Sequence, residues 1–126
     1  PNSYNYLGYS YAEREIEKEK AEKYLVKAND LEPDNAAFLD SLGWIYFKQN
    51  RRKEAMLYLH FAELVSEEKK QEDFVIFDHL GDVYRSDKDL VKAQYYYKKA
   101  EENAKTDSLQ KKIQTKWKQV SKELSK

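Results

Sequence analysis

Few side chains in this sequence could do chemistry. His79 has Asp78 beside it and Asp82 three residues on, close to one helical turn, so an Asp–His pair is available there. One imidazole and a carboxylate make neither a nucleophilic triad nor a closed metal site. The second histidine, His60, stands on a different segment. The chain has no cysteine, which excludes disulfides, thiolate nucleophiles and zinc–sulfur centres. The expectation is a protein that is not an enzyme, with no catalytic residue, no cofactor and no metal. Recognition is the chemistry that remains. Trp44 is the type of residue that anchors interfaces, and it serves equally well as packing between neighbouring helices. Asp40, Asp78 and Asp82 read either as solvated charges or as selectors of a basic ligand segment.

Two further features invite a functional reading. Tyr95-Tyr96-Tyr97 looks like an aromatic ladder. Tyr24, Tyr58 and Tyr96 recur at one phase, however, which points to packing between repeats and not to a platform for bases. The last twenty residues, 107–126, carry six Lys against one Asp and one Glu, a net of +4. The whole chain is neutral, so the remainder is −4, and no global charge draws it to nucleic acid or anionic lipid. The lysine-rich tail is expected to be a solvated cap. No apolar run approaches the ~18 residues of a membrane span, and no signal peptide is visible.

The elements that must position these residues follow from the glycines. There are only three, and each sits in one phrase: Leu7-Gly8 with Tyr11, Leu42-Gly43 with Tyr46, Leu80-Gly81 with Tyr84. Glycine costs roughly 1 kcal/mol against alanine inside a helix. Its restriction to a single phase marks a place where no side chain fits. Apolar residues at i, i+3, i+4 and i+7 place helices at about 2–13, up to Leu31, 36–49, 52–68, 74–86, 88–104 and 107–125. Pro33 stops the second, and Asp34 or Asn35 can cap the third. Gln49-Asn50 and Ser86-Asp87 are turns, the latter also the next cap. Small residues (Gly43, Ala55, Ala62; Gly81, Ala93, Ala100) face large ones (Leu39, Leu42, Tyr46, Leu59; Phe77, Leu80, Tyr84, Tyr97). That is how paired antiparallel helices interlock.

This pattern resembles the tetratricopeptide repeat (TPR), whose signature is Trp-x-x-Leu-Gly-x-x-Tyr, then Ala-x-x-x-Phe/Leu-x-x-Ala, then Pro. The second helices read Ala21-x-x-x-Leu25-x-x-Ala28, Ala55-x-x-x-Leu59-x-x-Ala62 and Ala93-x-x-x-Tyr97-x-x-Ala100, with Pro33 closing the first. Glu67 stands where the second repeat's proline would be. The phrases around Gly8, Gly43 and Gly81 also look like the C-terminal repeats of bacterial multi-TPR proteins. The resemblance implies an all-α right-handed solenoid of about seven helices forming a single domain. Repeats would fall at 1–35, 36–73 and 74–106, with a degenerate half-repeat at 107–126 as capping helix.

It also implies a non-catalytic adaptor or scaffold that binds a protein or peptide in the concave groove of its first helices. The stripe beside the core, at offsets −3, +1 and +4 or +5 from each glycine, would be that groove. It comprises Asn5 and Tyr9, then Asp40, Trp44 and Phe47, then Asp78, Asp82 and Arg85. Chaperone-binding members hold a carboxylate with Lys, Asn and Arg at the −3 and +1 places. Only Asn5 offers such a donor here, so no chaperone-tail clamp is expected. The alternative function is self-association or stacking through the N-terminal end, within a longer repeat protein. Beginning at Pro1 and entering a repeat at once, the chain reads as a piece of such a protein; the resemblance to bacterial proteins is compatible with cytoplasm or cell envelope and assigns no compartment.

Overall fold

The computed structural model describes residues 18–126. Among these the secondary structure is six α-helices with no strand. A first compact unit, ending at Glu68, contains α1 (Lys18–Leu31), α2 (Ala36–Lys48) and α3 (Arg52–Glu68). A second, Lys69–Lys126, contains α4 (Phe74–Ser86), α5 (Leu90–Asn103) and α6 (Asp107–Leu124). The helix expected at 2–13, with Gly8, Asn5, Tyr9 and the N-terminal end considered for self-association, lies outside the described residues.

In both units a first-type helix pairs with the helix after it, α2 with α3 and α4 with α5. The glycines set the closeness of each pair. A Cβ on Gly43 would lie 2.7 Å from Leu59 Cγ, and one on Gly81 would lie 2.5 Å from two ring carbons of Tyr97. No real side chain tolerates such contacts, so glycine's helical cost is offset by the approach of the partner helix. Ala55, Ala62, Ala93 and Ala100 are fully buried beside them, as are Leu42, Leu59, Phe77, Leu80 and Tyr97. In the first unit α1 completes the core, with Ala21 and Leu25 joining Leu42, Ile45, Tyr46 and Ala55.

The two intra-pair turns are built alike. Asn50 and Lys88 adopt left-handed φ of 61°. The N–H of Arg51 bonds the carbonyl of Tyr46 (2.8 Å), and that of Asn50 bonds Phe47 (3.0 Å). Asp89 to Tyr84 (3.0 Å) and Lys88 to Arg85 (2.9 Å) repeat this. These are Schellman ends, which satisfy the last carbonyls of a helix. They also correct the expected start of α5. With Lys88 left-handed, the helix begins at Leu90, and its cap is Asp89, which accepts from Lys92 N at 3.3 Å, not Ser86-Asp87. Asn35 caps α2 by accepting from Phe38 N at 3.1 Å. Thr106 caps α6 by accepting from Leu109 N at 3.2 Å.

Two of the recurring tyrosines, Tyr58 and Tyr96, pack inside their own helix pair and not between repeats as expected. Tyr58 meets Tyr46 with ring centroids 5.4 Å apart, and Tyr96 stacks on Tyr84 at 5.6 Å and 4°. The last helix, α6, lies on α5 with Ile113 and Val120 buried. Trp117 Nε1 donates to Glu101 Oε1 at 3.1 Å. Leu124, one turn further on, is 40% exposed, because the inner stripe of α6 ends at Val120.

Candidate functional site

The groove stripe divides by unit. On α2, Asp40 and Trp44 are each less than a tenth exposed. Trp44 lies against Phe47, centroids 5.3 Å apart, with the Lys48 ammonium 5.0 Å from its ring. Phe47 is half-buried. The −3 and +1 places of this helix therefore offer little surface, whatever their chemistry.

On α4 the same two places carry Asp78 and Asp82, and α6 reaches them. Lys116 Nζ donates to Asp78 Oδ1 at 2.8 Å and to Asp82 Oδ1 and Oδ2 at 3.3 and 3.5 Å. From α5, the hydroxyl of Tyr97 donates to Asp82 Oδ1 at 2.5 Å. The fully buried Tyr97 ring fills the space that Gly81 leaves, so one side chain both sets the helix spacing and orients the carboxylate one residue on. Lys116 also lies 5.5 Å from the Tyr97 ring centroid. Arg85, the third member of the stripe, donates to Glu123 Oε1 of α6 at 3.0 Å.

One ammonium between two carboxylates leaves a net charge of about −1. Burial, with the charge of Asp82 beside it, pushes the Asp78 carboxyl above the ordinary carboxylate range despite Lys116. Burial alone would lower the Lys116 ammonium; Asp82 and Asp78 outweigh that and leave it raised. Burial and then Asp82 push the Tyr97 phenol well above its usual range. The cluster is not sealed. Side chains of Asp78, Asp82 and Lys116 keep 20, 23 and 26% of their exposure, enough for an incoming group to reach them.

Sequence reasoning missed Lys116, Tyr97 Oη and Glu123 as members of this site. A signal was present. Lys116 stands three residues after Ile113 and four before Val120, so it flanks the buried stripe, and the tail's +4 complements the −4 elsewhere. The histidines do not build a reactive centre. His79 is buried on α4, and His60 Nδ1 lies 3.0 Å from Glu63 Oε1 on its own helix. Among the described residues no cluster of three or more His, Cys, Asp or Glu is placed to hold a metal ion, and no helix is long and apolar enough to cross a membrane.

Helix pairs closed by a glycine on the first helix and alanines on the second define a TPR-like, all-helical repeat protein. The chain is 37% identical to TPR repeat-containing protein PA4667 of Pseudomonas aeruginosa over 78 residues, which make up 62% of this chain. The match spans 12% of that relative's length. No family model matches the chain. Repeats of this type are generally non-catalytic and mediate protein–protein interaction.

Proposed function

We propose that this chain is an adaptor or scaffold module whose first-helix face in the second unit holds a basic segment of a protein partner. The observation that carries the reading is the Lys116 cluster. Asp78 and Asp82 already bind an alkylammonium group in defined geometry, two carboxylates to one ammonium. A lysine or arginine from a partner would share or replace Lys116, and Coulomb attraction in a half-buried site favours either outcome. Arg85 at the edge of the same stripe would exclude a second cation there and so set the register of the segment. Nothing in this role requires bond making, in keeping with the non-catalytic character of such repeats.

A displayed random-peptide library selected on the intact chain tests this. Recovered sequences should carry Lys or Arg, and should lose about tenfold or more in affinity on Asp82→Asn with helicity unchanged. Recovery of peptides without basic residues, or equal binding to both proteins, would refute it.

A further inference from the structure

The outer face of α3 carries Leu57, Phe61 and Leu64, which are 65, 46 and 65% exposed. Their i, i+4, i+7 spacing makes one continuous apolar stripe. The repeat does not require it. Counted from the buried alanines Ala21, Ala55 and Ala93, the equivalent positions are Lys23, Lys27 and Asp30 on α1, and Tyr95, Lys99 and Glu102 on α5. Only the middle repeat is wholly apolar there.

The ends of this stripe are oppositely charged, with Lys53 in the first turn and Glu68 in the last. The first turn also holds an acid, Glu54, which suits the helix dipole, but no basic residue stands in the last turn, where the dipole favours one. A second copy laid antiparallel would bring its Lys53 to that end. Its two-fold axis would fall between residues 60 and 61, bringing Leu57 to Leu64 and Lys53 to Glu68. A parallel arrangement would set Lys53 against Lys53 and Glu68 against Glu68.

We propose that α3 is a homotypic docking face, on which two copies of this chain pair antiparallel through Leu57, Phe61 and Leu64, with Lys53 of each over Glu68 of the other. This contact is independent of the Asp78–Asp82 site. Its area is on the order of the smallest specific interfaces, ~1,000 Å² in total, so association sets in at roughly tens to hundreds of micromolar.

Sedimentation equilibrium of the intact chain across that concentration range provides the test. Wild type should pass from monomer to dimer. Phe61→Glu should stay monomeric with unchanged circular dichroism, since the residue is exposed. Lys53→Glu and Glu68→Lys should each weaken the dimer by about three- to tenfold, and the double variant should restore it. A wild type that is monomeric throughout overturns the proposal, as does a dimer indifferent to Phe61→Glu. Single reversals without effect, or a double variant that fails to restore the dimer, overturn the antiparallel pairing.

Discussion

Lys116 of the last helix places its ammonium 2.8 Å from Oδ1 of Asp78, thirty-eight residues earlier on α4. That contact ties α6 across α5 to the first helix of its unit. It also occupies, from within the chain, the acidic stripe where a basic partner segment would be read.

Removing the ammonium should leave two neighbouring carboxylates half-buried and unneutralised. Lys116→Met is expected to lower unfolding free energy by about 1–3 kcal/mol, measured by urea denaturation at neutral pH. The deficit should shrink as pH falls into the carboxylate range, because the raised Asp78 carboxyl takes up a proton more readily folded than unfolded. An equal deficit at pH 4.5 and 7 would show that Lys116 acts by packing alone.

Tyr97 governs the alkaline limb. Its folded pKa is raised above the unfolded value of 10.0, so its contribution is complete below pH 10 and is lost as pH rises further. Lys116, raised above 10.5, has the same sign. Wild type should therefore lose stability above about pH 10, and Tyr97→Phe should lose it less steeply while costing about 1 kcal/mol at neutral pH. Parallel pH profiles for the two proteins would contradict this.

Gly81→Ala should destabilise by about 1–3 kcal/mol, although alanine is the better helix former by roughly 1 kcal/mol. The reversal of sign comes from the Tyr97 ring, held by Asp82 and unable to retreat. Thermal melting of Gly81→Ala and Gly43→Ala should show losses for both.

Lys88 pays for its left-handed backbone without any contact that requires a side chain there, being exposed in a Schellman turn. Lys88→Gly is expected to stabilise by about 0.5–1 kcal/mol, read as a higher urea midpoint. A lower midpoint would mean the turn is not limiting.

Much of this fold was legible because its determinants are local. Glycine and alanine phases, proline and the capping residues located α2, α3, α4 and α6 to within a residue of their ends. The start of α5 was misplaced because nothing in Ser-Asp-Lys-Asp announces that the third residue, and not a glycine, takes the left-handed place. The site was less legible. Periodicity located the −3 and +1 stripe, yet it could not show that Asp40 and Trp44 are buried while Asp78 and Asp82 meet a lysine. The lysine contact depends on where α6 docks on α5, with Ile113 and Val120 buried at long range. Among six chemically identical lysines in the tail, only docking distinguishes Lys116.

The most direct test of a basic-segment site is the dissociation constant of one selected lysine-bearing peptide on wild type and on Lys116→Met, by fluorescence anisotropy at 0.15 M salt. If Asp78 and Asp82 read the peptide's cation, vacating them should tighten binding by about three- to tenfold. Unchanged or weaker binding to folded Lys116→Met would contradict the account.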